Sequence, residues 1–408
     1  MAGSMRLRRM DGSITAPMGF SAAGVAAGIK RGGQLDLGLL YSQVRCAAAA
    51  VYTTNQLKGA SLLVTMEHLR DGHAQAAVVN SGNANACTGE RGTLDAREMA
   101  RTVGRLLRIP SHDVVVASTG LIGEFLPLPK TRKGIENAVA ELDQEGGSRM
   151  ARAIMTTDTR PKNAAYHVTA AGRSFTLGGI AKGAGMIHPK MATMLAFLST
   201  DARSAPDALR RMLADAVGRS FNRITVDRDT SCDDMVVLFA NGLAMGDEIT
   251  VGSELGNAFE EALLAICKDL AKQLVQDGEG VTKVATITCR GARDELEATK
   301  VAETIATSLL VKTAIFGGDP NWGRIVNAAG YSGVPFDISK IELWIGAIKV
   351  FADGMRTKYI DSDVAGIFRQ KEIQIVLDLH RGPAQAEYLT SDLSQEYVRI
   401  NSDYSHRT

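Results

Sequence analysis

The organisation of the chain depends on one stretch, Gly178-Gly-Ile-Ala-Lys-Gly-Ala-Gly-Met-Ile-His-Pro-Lys-Met-Ala-Thr-Met-Leu-Ala-Phe-Leu-Ser-Thr200. Its glycines permit a left-handed backbone and close approach of neighbouring segments. After Pro189 the stretch becomes the apolar run from Met194 to Leu198, which predicts a buried strand. Thr193 lies at the junction. The stretch therefore predicts a glycine-rich approach to a buried strand with a threonine hydroxyl at its mouth.

A hydroxyl residue at this junction is chemically suited to a chain that cuts itself. Cleavage between Ala192 and Thr193 would make Thr193 a new N-terminal residue. An α-amine has a reference pKa of about 7.7–8.0 and lies within reach of its own residue's Oγ, so it can act as a base. One residue would then supply both nucleophile and base. On this short pattern alone, a threonine that merely begins a strand is the more common explanation.

A longer string favours self-cleavage over a threonine that merely begins a strand. Lys182-Gly-Ala-Gly-Met-Ile-His-Pro-Lys-Met-Ala-Thr-Met-Leu195 resembles, almost letter for letter, the processing site of the glutamate N-acetyltransferase/ornithine acetyltransferase family of arginine biosynthesis. The resemblance covers almost the whole chain, including residues 80–89, 221–231 and 315–324. It implies that Thr193 is the nucleophile, released when its Oγ attacks the Ala192 carbonyl and the resulting ester is hydrolysed.

The resemblance also implies the other site residues. Thr119 and Gly120, in Ser-Thr-Gly at 118–120, correspond to the oxyanion hole. The implied substrate-binding residues are Thr156, Lys182, Thr193, Glu279, Asn401 and, where the family has a terminal hydroxyl, His406. A lysine can pair with a substrate carboxylate and a glutamate with an ammonium, while Thr and Asn side chains form hydrogen bonds, as amino acid substrates require. Taken singly, each of these residues is more often a solvated side chain.

Three departures from the family pattern stand out. Arg228 replaces a common glycine, Cys232-Asp-Asp replaces Thr-Asn-Asp, and the tail 401–408 is longer than usual, so that Ser405 or Thr408 is an alternative to His406. The acidic run 227–233 imitates a calcium loop, but its sixth position is Cys232 instead of glycine and its twelfth is not glutamate. It is interpreted as a structural acidic turn, or as one that orients an active-site group.

Composition excludes several classes of protein. The 408 residues are 45% hydrophobic with a formal charge of +1, which gives no electrostatic case for nucleic acid or an anionic membrane. Five widely spaced cysteines without a Cys-x-x-Cys pair argue against a disulfide framework or a zinc site and favour a reducing cytoplasm. No apolar run has the length of a membrane helix. The sequence predicts no metal and no organic cofactor.

The resemblance implies an α/β (α+β) fold of layered sheets and helices. The predicted elements include strands at 76–79 and 114–120, a polar loop at 80–89, a helix capped by Thr93, and a hairpin about Gly172. A long helix ends at Asp277-Gly-Glu-Gly280, where the chain is divided into a main catalytic domain, 1–285, and a smaller C-terminal α+β domain, 286–408. Self-cleavage would divide it into an α chain, 1–192, and a β chain, 193–408.

The sequence therefore predicts an acetyltransferase that moves an acetyl group from N2-acetyl-L-ornithine to L-glutamate through an acetyl ester of Thr193. Acetyl-CoA is a second candidate donor. The fragments are expected to remain together as a heterotetramer of two α and two β chains. Two alternatives stay open: an amidase or aminopeptidase in which water accepts the acyl group, and a non-catalytic binder of acetylated amino acids.

Overall fold

Strands and helices alternate along the described part of the chain, residues 5–188, 194–244 and 246–402 of a computed structural model. Up to residue 188 they are β1 Arg6–Met10, β2 Phe20–Val25, β3 Leu37–Tyr52, α1 Ala60–His68, β4 His73–Asn83, α2 Gly89–Leu107, β5 Val114–Leu121, α3 Leu128–Ala140, α4 Gly147–Ala153, β6 Lys162–Ala170 and β7 Arg173–Lys182. Beyond residue 194 they are β8 Leu195–Thr200, β9 Arg203–Ser204, α5 Pro206–Gly218, β10 Ile224–Thr225, β11 Met235–Ala240, β12 Glu248–Ile249, α6 Glu254–Gln276, β13 Val284–Ala292, α7 Glu295–Ala306, α8 Leu309–Gly317, α9 Trp322–Gly330, β14 Glu342–Ile345, β15 Ile348–Ala352, β16 Met355–Arg356, α10 Asp361–Phe368, β17 Glu372–Asp378, β18 Ala384–Ser391 and α11 Gln395–Asn401.

The larger sheet runs in the order β1-β6-β7-β8-β11-β3-β4-β5, and β2 also pairs with β3. Its strands are antiparallel except for two parallel pairs, β8 with β11 and β4 with β5. The hairpin predicted about Gly172 is present as β6 and β7. β7 and β8 are antiparallel neighbours in which Lys182 pairs with Leu195, so the glycine-rich stretch leads from one central strand to the next.

Strand β8 is buried on both faces, as its unbroken apolar run predicts. Ala196 and Leu198 belong to the core beneath α5 and α6, whereas Leu195 and Phe197 belong to the core on the opposite face. All six residues of the strand are buried. The strand that follows the proposed nucleophile therefore lies in the middle of the sheet, with helices covering both faces.

A second sheet of the order β10-β18-β13-β17-β14-β15-β16 carries a separate apolar core under α7, α8, α9 and α10. Its edge strand, β10, comes from the acidic-turn region earlier in the chain and pairs in parallel with β18. The last helix, α11, returns to the end of α6, where Gly280 packs against the backbone of Tyr397. The mixed α/β class predicted from the sequence is thus present, with two main sheets and helices packed on each.

The region 80–93 differs from its prediction. Asn80 to Asn83 continue β4 instead of forming a loop, and α2 begins at Gly89, so Thr93 lies inside the helix and does not cap it. The chain turns sharply between them because Asn85 and Cys87 both adopt positive φ angles, 51° and 57°. Asparagine tolerates this backbone, and the tight turn lets the helix start about one turn earlier than its apolar pattern suggests.

Candidate active site

A cavity of about 420 Å³ lies where β5, β7, the acidic turn and the end of α6 meet. Six of the residues singled out from the sequence line it: Thr119, Gly120, Thr156, Lys182, Glu279 and Asn401. They come from five separate segments, and the fold brings them together. A larger groove of about 580 Å³ lies elsewhere, along residues 219–224 and 384–389, and none of the six lines it.

Lys182 is the centre of the cavity's hydrogen bonding. Its Nζ donates to Thr156 Oγ1 at 2.8 Å and to Thr119 Oγ1 at 3.2 Å, while the residue is only 8% exposed. An ammonium can only donate, so both hydroxyls accept from it and each retains its own proton for another acceptor. The arrangement orients two hydroxyl donors and a cation toward one small volume, which suits an anionic group.

A buried carboxylate compensates the charge of Lys182. Burial lowers the pKa of Lys182, Lys162 lowers it further, and Asp158 opposes both. Burial would raise the pKa of Asp158, but the neighbouring Lys162 and Lys182 ammonium groups and the Gly183 N–H hold it at about 2. Asp158 also accepts hydrogen bonds from the Thr156 N–H at 3.0 Å and the Gly183 N–H at 2.7 Å. It therefore fixes the backbone on both sides of the Lys182–Thr156 contact.

Thr119 and Gly120 lie at the end of β5, where its pairing with β4 becomes irregular. Gly120 has a φ of 136°, and a Cβ at this position would lie 2.3 Å from the Gly82 carbonyl carbon. No other residue fits there, since both the backbone angle and the space require glycine. The β4–β5 pair thus presents Thr119 at the cavity wall, as the oxyanion prediction requires of its position.

A second part of the cavity wall carries an amide and a carboxylate. Asn401, the last residue of α11, donates from Nδ2 to Glu279 Oε2 at 2.8 Å and to the Tyr397 carbonyl at 3.0 Å. Glu279 is 6% exposed and packs so closely against Gly185 that a Cβ there would lie within 2.4 Å of its carboxylate. The remaining acceptor capacity of Glu279 gives this wall a negative character, suited to an ammonium group.

The acidic turn has the orienting geometry that the sequence interpretation allowed. Asp227 accepts hydrogen bonds from the backbone N–H groups of Met186 and Ile187 at 2.6 and 2.8 Å, and from the Tyr397 hydroxyl at 3.2 Å. The Val226 N–H donates to the Ile187 carbonyl at 2.7 Å. The turn therefore ties down the segment that approaches residue 189 and joins it to the C-terminal helix.

Three of the predicted site residues, Ala192, Thr193 and His406, lie outside the described residues. Met194 is the first described residue after the proposed nucleophile. It is 4% exposed, and its carbonyl accepts from the Met235 N–H at 3.0 Å. The backbone that follows position 193 is thus anchored to β11, one residue before the pair formed by Leu195 and Lys182.

Sequence reasoning missed a chain of buried charges behind the cavity. Lys162 Nζ lies 2.5 Å from Asp158 Oδ1 and 2.6 Å from Asp277 Oδ2, and the Lys162 side chain is fully buried. Asp277 also accepts from the Thr159 N–H at 3.1 Å. Asp277 stood in the string Asp-Gly-Glu-Gly quoted from the sequence, and Asp158 lies two residues after Thr156, but a lysine in a strand carries no signal that it is buried.

In the part of the chain that the structure describes, no group of three or more His, Cys, Asp or Glu side chains is arranged to hold a metal ion. None of the described helices is long and apolar enough to cross a membrane.

A buried ammonium that donates to two hydroxyls lines the same small cavity as a carboxylate, so this α/β fold presents a site for ligands that carry charges of both signs, as amino acids do. The chain belongs to the ArgJ family, whose model matches residues 21–406. It is an enzyme of arginine biosynthesis and an acetyltransferase.

Relatives support this membership over almost the whole chain. The arginine biosynthesis bifunctional protein ArgJ of Symbiobacterium thermophilum is 48% identical over 97% of this chain and 99% of its own length. The protein of the same name from Caldanaerobacter subterraneus is 44% identical over the same shares.

Two solved structures are also similar to this chain. One is arginine biosynthesis bifunctional protein ArgJ from Bacillus halodurans, 43% identical over 46% of this chain and 98% of that chain, with a TM-score of 0.44. The other is ornithine acetyltransferase complexed with ornithine from Mycobacterium tuberculosis, 41% identical over 46% of this chain and 99% of that chain, with a TM-score of 0.42.

Proposed function

We propose that the chain cuts itself between Ala192 and Thr193 and then transfers an acetyl group from N2-acetyl-L-ornithine to L-glutamate. In the first half-reaction the Thr193 Oγ attacks the acetyl carbonyl and its α-amine accepts the Oγ proton. Ornithine then leaves with a proton. In the second, the glutamate amine attacks the acetyl ester and Thr193 regains its proton. Thr119 and Gly120 stabilise the oxyanion of both tetrahedral intermediates.

The observation that carries this proposal is the Lys182 ammonium, which donates to Thr119 and Thr156 in a cavity that Glu279 and Asn401 also line. N2-acetylornithine and glutamate each carry carboxylate groups for the cationic wall. The amine of glutamate suits the part of the wall that Glu279 forms. The identity of 48% to a bifunctional ArgJ protein, and the ornithine named in the structure of the Mycobacterium tuberculosis relative, support these substrates.

Intact mass and N-terminal sequencing test the cleavage. The purified protein is expected to give two fragments, 1–192 and 193–408, the second beginning Thr-Met-Leu-Ala. Thr193→Ala is expected to remain one chain and to be inactive. An intact wild-type chain, or a cut at another bond, would remove both the transferase mechanism and the N-terminal-threonine hydrolase alternative.

A trapping experiment tests the transfer. Brief exposure to N2-acetylornithine without glutamate is expected to leave one acetyl group on the Thr193 peptide, and initial rates are expected to be parallel, as in ping-pong kinetics. Intersecting lines with no trapped acetyl group would indicate direct transfer instead. Release of ornithine that continues at full rate without glutamate would favour the hydrolase.

The proposal also includes the subunit assembly of the cleaved protein and a second acetyl donor. The α and β fragments remain associated, since β7 and β8 lie on opposite sides of the cut and share a ladder from Leu177–Thr200 to Lys182–Leu195. Two copies of each fragment form a heterotetramer in the cytoplasm, which mass photometry of the cleaved protein tests. Acetyl-CoA is a second donor, which an assay of free thiol release in the presence of glutamate tests.

A further inference from the structure

Asp233 and Asp234 are two buried carboxyl groups beside the cavity that the proposed mechanism does not use. Asp233 lines the cavity and is 7% exposed, while Asp234 is 4% exposed. Asp233 Oδ1 and Asp234 Oδ2 have no hydrogen-bond partner among the described residues. Buried polar atoms in proteins are nearly always paired, so a carboxyl group that lines a cavity and leaves one oxygen without a partner among the described residues is a candidate group for binding a ligand.

The surrounding chain holds the Asp233 carboxyl in place. A Cβ on Gly59 would lie 1.8 Å from Asp233 Oδ1, so this glycine leaves the room that the carboxyl occupies. The Asp233 N–H donates to Ser231 Oγ at 3.3 Å, and Cys232 Sγ donates to Asp233 Oδ2 at 3.4 Å. The Asp234 carbonyl accepts from the Thr53 N–H at 3.0 Å. These contacts fix the position of the Asp233 carboxyl in the cavity wall.

The charges around Asp233 set its titration close to neutral pH. Burial raises the pKa of Asp233 to about 7, against the lowering effects of Cys232 and Lys182. Burial and then repulsion by Asp233 raise the pKa of Asp234 well above its ordinary value. Burial also raises the pKa of Cys232 to about 12, so the thiol is a neutral donor. The other ionisable residue that lines this cavity is Glu279.

The side chains of the two proposed substrates carry opposite charges, and both substrates bind in the same cavity. The side chain of N2-acetylornithine ends in an ammonium, that of glutamate ends in a carboxylate, and in a ping-pong reaction they occupy the cavity in turn. A fixed charge at the wall would attract one of these side chains and repel the other. A group that exchanges a proton with water near the working pH can serve both.

We propose that the Asp233 carboxyl is the subsite for the substrate side chain, binding the ammonium of N2-acetylornithine as a carboxylate and donating a hydrogen bond to the glutamate carboxylate as a carboxylic acid. This inference rests on the proposed function. It assigns to Asp233 a role in discriminating substrates, whereas bond making and breaking remain with Thr193 and the oxyanion donors. The proton that Asp233 loses or gains passes to or from water.

The test is the ratio of kcat/KM for N2-acetylornithine to kcat/KM for glutamate, measured from pH 5.5 to 8.5 on the cleaved enzyme. Titration of the Thr193 amine and of the substrates' own amines also affects this ratio, so the profile is compared with that of Asp233→Asn. The ratio of kcat/KM values for wild type, divided by the same ratio for Asp233→Asn, is expected to rise about tenfold from the low-pH to the high-pH limit. Tenfold is the usual contribution of one charge-assisted hydrogen bond. Asp207→Asn, which removes a carboxylate that is 90% exposed on α5 and does not line the cavity, is the matched control and is expected to follow wild type.

A second measurement needs no variant. N2-acetyl-L-norvaline lacks the terminal ammonium, so its kcat/KM is expected to miss the rise with pH that N2-acetylornithine shows through Asp233. Equal pH profiles for the two donors, or for wild type and Asp233→Asn, with transfer to glutamate intact would overturn the subsite and leave the proposed function standing. Absence of any transfer between the two substrates would overturn both.

Discussion

Removal of the Lys162 ammonium is expected to damage stability and catalysis together. Lys162→Met keeps most of the side-chain volume but leaves Asp158 and Asp277 facing each other in the interior without their shared cation. Breaking a buried ion pair by removing one partner costs about 3–5 kcal/mol, because the remaining charge stays desolvated. At about 2–4 °C per kcal/mol for a large chain, we expect Tm to fall by about 6–20 °C.

The expected fall in kcat follows from the contacts of Asp158 and Asp277. Asp158 binds the Thr156 and Gly183 N–H groups on both sides of the Lys182 contact, and Asp277 lies two residues before Glu279. Displacement of a site group by about 1 Å can cost about 100-fold in rate. We therefore expect kcat for acetyl transfer to fall by about 10–100-fold, with smaller changes in KM, because Lys162 does not line the cavity.

Two controls separate charge from packing. Lys133→Met removes an exposed lysine paired with Glu136 at 3.2 Å, and such pairs contribute less than about 1 kcal/mol, so Tm should change by no more than about 4 °C. The double variant Lys162→Met, Asp277→Asn removes one buried charge of each sign and leaves Asp158 beside Lys182, so it should recover much of the lost stability. A Lys162→Met protein within 2 °C of wild type and with unchanged kcat would refute the reasoning.

The remaining predictions concern single positions. Thr119→Ala should lower kcat by about 100–1,000-fold, the usual worth of one oxyanion donor, while Thr313→Ala, an exposed helix hydroxyl, should not; a loss below about threefold would remove Thr119 from that role. Arg228 has a φ of 70° and an exposed side chain, so Arg228→Gly should stabilise the chain by about 1 kcal/mol and raise Tm, and a lower Tm would contradict this account of its backbone. Asp233 has its pKa raised from 3.8 to about 7, so the native state retains a proton that the unfolded chain releases, and wild type should lose stability as pH rises between those values. Asp233→Asn should therefore gain Tm over wild type at pH 8 and match it at pH 4, and equal Tm differences at both values would contradict the raised pKa.

The sequence predicted well those parts of the fold that depend on local apolar patterns. The buried strand before Thr200, the hairpin about Gly172 and the long helix that ends before Asp277 all have the predicted type and place. These elements are recognisable because their apolar residues recur with a period of two or of 3.6 residues. The start of α2 was wrong because a sharp turn of positive φ angles, which no apolar period encodes, determines where that helix begins.

The residues of the candidate site were also predicted only in part. Thr119, Lys182 and Glu279 were found through the resemblance, and the structure places them around one cavity, but their catalytic and binding roles stay predictions. The Lys162 contacts could not be found, since Asp277 is 115 residues away in the chain. Arg228 was noted only as a departure, and its φ of 70° supplies the physical reason why glycine suits that position. The division at residue 285 also stays a prediction.

The balance of charge around the cavity gives a reason for Asp233 to hold a proton. Lys162 and Lys182 are two cations among five buried carboxyl groups: Asp158, Asp233, Asp234, Asp277 and Glu279. Arg160 lies 4.0 Å from Asp277 but is half exposed, so the five carboxyl groups still outnumber the cations in a poorly solvated volume, and such an excess is relieved by protonation of the least compensated groups. Asp158 has a lysine within 2.5 Å, whereas Asp233 and Asp234 have unpaired oxygens, so the protons belong on this pair. A ligand ammonium entering the cavity adds the missing positive charge and removes the reason for Asp233 to keep its proton, so binding of N2-acetylornithine should be accompanied by proton release that Asp233→Asn abolishes.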